Sequence, residues 1–124
     1  MEAPKILIIE DEPDILEIFE SAFEEEDFEI FLCSSYEEGE AHINKGTQFV
    51  AVISDLNLKA KSGVDLLVRA KQINSGTLTI LTTGSCSPEV PKSKFYEVFY
   101  KPFDFKDIVT RTKDFLGGIN EKSN

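Results

Sequence analysis

Short apolar runs alternate with amphipathic stretches along most of this chain. Five of these runs predict buried β-strands, namely Lys5–Ile9, Phe28–Cys33, Phe49–Ile53, Leu78–Thr83 and Phe95–Tyr100. Between the strands, apolar residues recur three and four positions apart, which is typical of helices that bury one face. The alternation of strand and helix predicts an α/β domain in which helices cover both faces of a parallel sheet.

Local signals mark where the helices begin. Pro13 stands where the first helix would start, a position that tolerates proline. Ser35 and Glu38 form a predicted capping box for the second helix, which we expect Gly39 to weaken. A polar loop, Lys59–Gly63, precedes the third helix. The predicted apolar faces of the first, third and last helices are Ile15, Ile18, Phe19, Ala22 and Phe23; Leu66, Leu67, Ala70 and Ile73; and Phe105, Ile108, Val109, Phe115 and Leu116.

The regular alternation is interrupted once, near the C-terminal end. Two prolines within Ser85–Lys94 limit that segment to one helical turn at most, so we predict a short or irregular fourth helix. Asp104 is the predicted cap of the last helix, and Gly117–Gly118 is its predicted end. We therefore assign residues 1–118 to one domain and residues 119–124 to a polar C-terminal tail.

Composition and charge exclude several classes of protein. The 124 residues are 41% hydrophobic and 29% charged, within the range of globular domains. The formal net charge is −10, and 15 of the 23 acidic side chains lie in residues 1–44, so we expect no direct nucleic-acid binding. Two cysteines are too few for a disulfide scaffold or a zinc site, and no apolar run resembles a membrane span or a signal peptide. We therefore expect a cytoplasmic protein.

Reactive side chains stand at the predicted carboxyl ends of the strands. Glu10 and Asp11 follow the first strand, Asp55 follows the third, Thr83 ends the fourth and Lys101 follows the fifth. Ligands of doubly wound sheets bind beyond these ends. If the first and third strands are neighbours, their carboxylates converge, and they must then share a proton or hold a cation. A set of oxygen ligands with room for water favours Mg²⁺.

A divalent ion beside a free carboxylate indicates phosphoryl transfer to that carboxylate. Asp55 would be the nucleophile, and it needs no general base because an aspartate is ionised at neutral pH. Asp11 would be the main metal ligand, and Glu10 would be a ligand through water. Thr83 would donate a hydrogen bond to a phosphoryl oxygen, and Lys101 would supply the counter-charge.

Taken in order, these residues resemble the receiver domain of two-component response regulators. The resemblance covers roughly Lys5–Leu116 and rests on the segments Ile8–Glu12, Ile53–Leu58 with Gly63, Leu81–Gly84 and Lys101–Phe103. It implies a flavodoxin-like sheet of five parallel strands in the order 2-1-3-4-5.

The resemblance also implies a role for each matching residue. Asp55 falls on the phosphoacceptor, Thr83 on the switch hydroxyl and Lys101 on the invariant lysine. The proline after this lysine, Pro102, is usually preceded by a cis peptide bond. The implied ligands of Mg²⁺, or of Mn²⁺ in its place, are Glu10, Asp11, Asp55 and, through its backbone carbonyl, Asn57.

Three departures from the family pattern concern the predicted output surface. Lys59 stands where the family often has proline, and the stretch between Thr83 and Lys101 is shorter than usual. Val98 occupies the switch position that is usually Tyr, Phe or Thr. We expect its neighbours Tyr96 and Tyr100 to point to the opposite face of the strand.

The implied function is that of a phosphoacceptor module in a two-component or phosphorelay system. A sensor histidine kinase or a histidine phosphotransfer protein would donate to Asp55, and binding of an unknown downstream protein would be switched. Such a module is no enzyme beyond its own Mg²⁺-dependent phosphorylation and dephosphorylation. One alternative is an interaction scaffold that works without phosphorylation, which Val98 favours. Another is a phosphorelay intermediate that passes the group to a second histidine.

Other activities known on this type of fold fit the sequence poorly. Glu10–Glu12 would repel the phosphate of a flavin or nucleotide. A haloacid-dehalogenase-type phosphatase needs Asp where Asn57 stands, and a Walker A loop is absent. We interpret Cys33 as a small core residue, His42 as a helix-surface side chain and Cys86 as inert. Four lysines are interpreted as solubilising rather than as a basic rim, namely Lys59, Lys61, Lys92 and Lys94.

Overall fold

The computed structural model describes residues 3–59, 61–84 and 93–122. None of the helices in these ranges is long and apolar enough to cross a membrane. The elements along the chain are β1 (Lys5–Ile9), α1 (Pro13–Phe23), β2 (Glu29–Cys33), α2 (Tyr36–Asn44), β3 (Ala51–Asp55), β4 (Asn57–Leu58), β5 (Lys61–Ser62), α3 (Val64–Ile73), β6 (Leu78–Thr83), β7 (Glu97–Tyr100) and α4 (Phe105–Lys122).

Five of the strands form one sheet in the order β2-β1-β3-β6-β7. Counted along the chain, this is the order 2-1-3-4-5, so the predicted flavodoxin-like topology is confirmed. Every neighbouring pair is parallel, and the carboxyl ends of all five strands therefore lie along one edge. The strand order reverses between β1 and β3, which is where sheets of this kind bind their ligands.

Apolar cores lie on both faces of the sheet. Leu7 and Ile9 of β1 pack with residues of α2 and α3, whereas Ile6 and Ile8 pack with residues of α1 and α4. All four side chains are at most 1% exposed. Successive strand residues point to opposite faces, so a continuous apolar run such as β1 requires helices on both sides, as predicted.

Three strands differ from their predicted bounds. β3 covers Ala51–Asp55 rather than Phe49–Ile53, and its two polar residues continue the ladder with β6. β2 begins one residue later than predicted, and β7 begins at Glu97 rather than at Phe95. Apolar residues indicate burial, whereas a ladder depends on backbone pairing, which polar residues make equally well.

The predicted polar loop at Lys59–Gly63 is wrong, because part of it forms a short hairpin. Asn57–Leu58 pairs antiparallel with Lys61–Ser62, and we call these four residues the β4–β5 hairpin. Leu58 is 3% exposed and anchors the hairpin in the core. Lys59 has a φ of +59°. Lysine is uncommon in that left-handed conformation, so the residue types did not indicate a turn there.

Capping and close packing define α2. The hydroxyl of Ser35 accepts a hydrogen bond from the backbone N–H of Glu38 at 3.2 Å. The Glu38 carboxylate accepts from the hydroxyl of Ser34 at 2.9 Å, so the reciprocal half of the predicted capping box forms with the neighbouring serine. Gly39 is buried, and a Cβ there would lie 2.7 Å from Cγ1 of Ile9. The glycine is thus a close-packing position, in addition to the helix-weakening residue expected from the sequence.

The predicted apolar faces are largely buried, with two exceptions. Ile18 of α1 is 44% exposed and Ile73 of α3 is 54% exposed. The other predicted positions of the first, third and last helices are buried or partly buried. The apolar face of a helix can therefore include residues at its edge that the rest of the protein does not cover.

The last helix begins as predicted and ends later. Asp104 accepts a hydrogen bond from the backbone N–H of Lys106 at 2.9 Å and so acts as the predicted cap. The predicted end at Gly117–Gly118 is wrong, because α4 continues to Lys122. Glycine lowers helix stability by about 1 kcal/mol relative to alanine but does not forbid a helix. The predicted irregular fourth helix falls largely on residues 85–92, outside the described residues.

Candidate phosphoacceptor site

The carboxyl edge of the sheet brings three acidic residues together. Glu10 and Asp11 follow β1, and Asp55 is the last residue of β3. Ile9 is paired with Ser54 in the parallel ladder, so the residues that follow them, Glu10 and Asp55, lie side by side. Each of the three acids offers one carboxylate oxygen, and these oxygens lie within 4.8 Å of one another. The convergence expected from the sequence is therefore present.

Lys101 reaches the same point from β7. Its backbone N–H donates to the carbonyl of Thr83 at 2.7 Å, which continues the β6–β7 ladder by one residue. Its Nζ lies 3.3 Å from Oε1 of Glu10 and 3.4 Å from Oδ1 of Asp55. The bond between Lys101 and Pro102 is cis, as the resemblance implied. One ammonium group thus contacts two carboxylates that come from different strands.

Glu10 is fully buried beneath this site. Burial raises the pKa of its carboxyl from an ordinary 4.5 to about 6, and the nearby charge of Asp55 raises it as well. A hydrogen bond from the backbone N–H of Glu12, 3.1 Å from Oε2, lowers the pKa, as does Lys101. The net effect is a carboxylate whose ionised form is costly, which favours a cation beside it.

Asp55 and Lys101 influence one another in the same way. Asp55 is 7% exposed. Burial raises the pKa of Asp55, while Lys101 lowers it and Asp11 raises it, and the net pKa is above the ordinary value. For Lys101, burial lowers the pKa, but the charges of Asp55 and Glu10 outweigh that effect and the net pKa is raised. Lys101 therefore remains an ammonium at neutral pH.

The chemistry of this group of ligands fits a hard divalent cation. When ionised, Glu10, Asp11 and Asp55 carry three negative charges against the single positive charge of Lys101. Carboxylate and carbonyl oxygens are the ligands that Mg²⁺ and Mn²⁺ prefer. Asn57, whose carbonyl is the fourth implied ligand, lies two residues beyond Asp55 at the start of the β4–β5 hairpin. The residues present thus suit the ion that the sequence implies.

Thr83 lies at the same edge of the sheet. It is the last residue of β6 and is 0% exposed. Because Asp55 is paired with Thr82, Thr83 lies one position farther toward the carboxyl edge than the phosphoacceptor candidate. The strand order thus brings every candidate from Glu10 to Lys101 to one edge.

Gly63 supports the backbone of Asp55, a role that the sequence reasoning did not assign. A Cβ at Gly63 would lie 2.0 Å from the carbonyl oxygen of Asp55 and 2.3 Å from Oγ of Ser54. The backbone N–H of Gly63 also donates to the carbonyl of Leu56 at 2.9 Å. The contact with backbone atoms requires glycine, and the spacing between Asp55 and Gly63 was the signal in the sequence.

The residues around Val98 correct one expectation. Tyr96 is 6% exposed, and both Tyr96 and the partly buried Val98 pack in the core that contains Leu81. Side chains two positions apart on a strand share a face. The expectation that Tyr96 and Tyr100 point away from the face of Val98 is therefore wrong. The two tyrosines differ instead in exposure, since Tyr100 is 47% exposed and Tyr96 is 6% exposed.

The side chains of Cys33 and His42 are not part of the acidic group, although the carbonyl of Cys33 accepts a hydrogen bond from the backbone N–H of Glu10 at 3.0 Å. Cys33 is 1% exposed, and burial, together with Glu38, raises the pKa of its thiol to about 11, so the interpretation as a core residue is confirmed. His42 is half-buried, with its ring edge-on to Phe31 and Phe49 at 5.4 and 6.4 Å, and is more enclosed than a surface side chain. Two residues interpreted from the sequence lie outside the described ranges, namely Cys86 and Lys92.

A comparison with protein-family models matches residues 6–113 to the response regulator receiver domain. The chain belongs to this family. The matched region of the receiver domain includes every candidate site residue from Glu10 to Lys101. No match was found among curated protein sequences.

Solved receiver structures share the fold. A response regulator receiver protein from Sinorhizobium medicae has a TM-score of 0.84 at 22% identity, covering 94% of this chain and 96% of that one. A CheY-like receiver domain from Methanospirillum hungatei has a TM-score of 0.80 at 26% identity, with 97% and 98% covered. The response regulator TrrA from Thermotoga maritima, described as a complex with Mg²⁺-BeF, has a TM-score of 0.74 at 23% identity, with 90% and 98% covered.

Proposed function

We propose that this receiver domain accepts a phosphoryl group on Asp55 in a reaction that requires Mg²⁺. The observation that carries the proposal is the convergence of Glu10, Asp11 and Asp55 to within 4.8 Å, with Nζ of Lys101 in contact with two of them. The Mg²⁺-BeF complex of the Thermotoga maritima relative supports the same assignment. The donor is a phosphohistidine of a sensor kinase or of a histidine phosphotransfer protein.

Asp55 carries out the bond-forming step. One of its carboxylate oxygens attacks phosphorus as the bond from phosphorus to the histidine nitrogen breaks, and the nitrogen leaves with the electron pair. The product is an acyl phosphate on Asp55 and a free histidine. No general base is needed, because an ionised carboxylate has no proton to lose.

The neighbouring side chains hold the incoming group. Lys101 already contacts Asp55 and is free to contact a phosphoryl oxygen once the carboxylate charge is shared with phosphorus. The hydroxyl of Thr83 donates a hydrogen bond to a second phosphoryl oxygen, which draws the end of β6 toward the site.

Glu10, Asp11, Asp55 and the carbonyl of Asn57 would hold the metal ion. When bound, Mg²⁺ supplies positive charge that offsets the repulsion between these carboxylates and an anionic phosphoryl donor. Mn²⁺ has similar ligand preferences and would substitute for it. The buried position of Glu10 gives the site a charge that water screens weakly.

The proposed output is binding of a downstream protein, and the only catalysis is that of the domain's own phosphorylation and dephosphorylation. The phosphoryl group adds about 1.5 to 2 negative charges at the sheet edge. The binding surface would change because Thr83 and the residues beyond β6 follow that charge. We place the domain in the cytoplasm, a reducing compartment in which Cys33 remains a free thiol.

One observation favours a second function, a scaffold that binds its partner with or without phosphorylation. Val98 is an aliphatic, partly buried side chain in the core with Leu81 and Tyr96, and it has no polar atom to follow a change at Thr83. Partner affinity measured with and without phosphorylation separates the two functions, since equal affinities would support the scaffold.

The phosphoacceptor function is tested by intact mass spectrometry after incubation with acetyl phosphate. We expect one added phosphoryl group with Mg²⁺, none when EDTA removes the ion, and none in Asp55→Asn. Asp65→Asn makes the same chemical change at an exposed position in the first turn of α3 and should be labelled like the wild type. Equal labelling of the Asp55→Asn variant would contradict the assignment.

A further inference from the structure

Besides a hydrogen bond from the backbone N–H of Val64 to Oγ of Ser62 at 3.2 Å, the described residues of the β4–β5 hairpin and its flank contact the rest of the protein at three points. Leu58 lies in the core, and Gly63, which follows the hairpin, packs on the backbone of Asp55. The third point is Lys61, whose Nζ lies 2.8 Å from Oε2 of Glu37 and 4.6 Å from the centre of the Tyr36 ring. Leu58 and Gly63 thus hold the hairpin against the core and the end of β3. Lys61 holds it against α2, on the side that faces solvent.

The contacts of Lys61 connect the β4–β5 hairpin to α2, and neither of its partners in α2 belongs to the acidic group. Glu37 and Tyr36 form the first turn of α2, whereas Lys61 pairs with Leu58 in the hairpin. Tyr36 is 8% exposed and therefore offers a fixed ring face for the ammonium. The hydrogen bond between the side chains of Lys61 and Glu37 lowers the pKa of Glu37 and raises the pKa of Lys61, so both groups are charged at neutral pH.

The hairpin also carries Asn57, whose carbonyl is a proposed metal ligand. Asn57 pairs with Ser62, the residue next to Lys61, and Leu58 pairs with Lys61 itself. A two-residue ladder has little stability of its own. The position of the Asn57 carbonyl therefore depends in part on what holds the opposite strand of the hairpin. Oγ of Ser62 accepts a hydrogen bond from the backbone N–H of Val64 at 3.2 Å, and Lys61 holds the same strand to α2.

We propose that Lys61, held by Glu37 and Tyr36, is a positioning residue for the metal site and acts by fixing the β4–β5 hairpin that carries Asn57. This inference rests on the proposed phosphoacceptor function. Lys61 itself does not touch the acidic group, and its ammonium is bound to α2. On this proposal, the exposed Lys61 has a structural role in addition to the solubilising one expected from the sequence.

The decisive experiment is a calorimetric Mg²⁺ titration of the full chain and of three variants. Lys61→Met keeps the length of the side chain but loses the charge, and we expect Mg²⁺ affinity to fall by roughly two- to fivefold, the range of an exposed ion pair. Lys61→Arg keeps both contacts and should restore the wild-type affinity. Lys45→Met removes the same charge at the exposed C-terminal end of α2 and is the matched control.

The sign of the effect separates positioning from simple electrostatics. Removal of a positive charge from any part of the surface should leave cation binding unchanged or strengthen it, as we expect for Lys45→Met. Weaker binding in Lys61→Met alone therefore indicates a displaced ligand. An affinity in Lys61→Met equal to or higher than that of the wild type would overturn the inference.

A readout without metal keeps this inference separate from the proposed function. Amide hydrogen exchange of Gly63, measured by NMR in EDTA, should be roughly two- to fivefold faster in Lys61→Met than in the wild type, because the loosened hairpin opens more often. If the wild type bound no Mg²⁺, the proposed function would fail, and unchanged exchange of Gly63 would then overturn the positioning role as well.

Discussion

The end of β3 and the face of β7 differ in how closely they follow the receiver pattern. Around Asp55, the carboxylates, the lysine and the glycine beneath the backbone are all present and in contact. Along β7, the position where the family usually has Tyr, Phe or Thr is Val98, with a buried tyrosine before it and an exposed tyrosine after it. Acceptance of a phosphoryl group and its conversion into a surface change therefore have separate structural requirements.

The reason for this separation is geometric. Phosphoryl transfer needs a few charged atoms at short distances, which the paired ends of β1 and β3 provide. A reporting surface needs a side chain with two alternative positions and a small free-energy difference between them. Nothing about Asp55 requires Val98 to have a hydroxyl or a ring, so one region can retain its chemistry while the other varies.

Among the variants that test this difference between the end of β3 and the face of β7, the largest effect is expected at Lys101. Lys101→Met removes the ammonium that contacts Glu10 and Asp55, and we expect the rate of phosphorylation by acetyl phosphate with Mg²⁺ to fall by roughly 100-fold. The rate is measured by intact mass at successive times. Lys106→Met, in the first turn of α4, removes an exposed lysine as a control. Equal rates for the two variants would show that the contacts of Lys101 are structural only.

A smaller effect is expected from the pH dependence of stability in EDTA. The pKa of Glu10 is about 6 in the folded protein against an ordinary 4.5, so the fold favours the protonated carboxyl. Its contribution is fully present below pH 4.5 and is lost as the pH rises through 6, a change of about 2 kcal/mol in the free energy of unfolding. Urea unfolding at several pH values measures this change.

Glu10→Gln is the control for that titration. The amide does not ionise, so the difference in stability between wild type and variant should grow as the pH rises from 5 to 7. Removal of the Glu10 charge should also lower the pKa of Asp55, because the two ionised carboxylates repel each other, so the change in this difference reports the coupled Glu10–Asp55 pair. A difference that stays constant across this range would show that Glu10 titrates normally.

On the β7 side, Val98→Thr should have a modest effect. The variant preserves the shape of the side chain but places a hydroxyl in a partly buried apolar site, and we expect a loss of about 1 kcal/mol in the free energy of unfolding. The phosphorylation rate should be that of the wild type. A much lower rate would contradict the separation of the two regions, because it would show that Val98 contributes to the phosphorylation of Asp55.

The smallest effect is expected at Tyr100. Its ring is 47% exposed, so Tyr100→Ser should change the free energy of unfolding by no more than about 0.5 kcal/mol. The phosphorylation rate should again be unchanged, although the backbone of Tyr100 pairs with Thr83. A loss of phosphorylation in this variant would mean that the exposed tyrosine takes part in the reaction.

The sequence contained most of the information about the fold and the acidic group. Buried parallel strands are continuous apolar runs, and the reactive residues follow those runs directly, so strand order alone places Glu10, Asp55 and Lys101 together. The bounds of β3 were missed because Ser54 and Asp55 end the apolar run without ending the backbone ladder.

Other features could not be derived from residue types. The β4–β5 hairpin has no glycine or asparagine at its left-handed position, where Lys59 stands instead. The contact between Lys61 and Glu37 joins two surface residues in different elements, and charge alone does not select such a pair. The extension of α4 past Gly117–Gly118 was missed because a glycine permits a helix end without requiring one.

The buried glycine of α2 has a consequence for attempts to engineer this domain. Replacing a helical glycine by alanine is a standard way to raise thermal tolerance, because alanine narrows the unfolded ensemble. At Gly39 the added methyl would press on Ile9, the residue immediately before Glu10. A substitution intended to stabilise the protein would therefore displace β1, the strand that precedes Glu10 and Asp11. Stabilising designs should retain glycine at position 39.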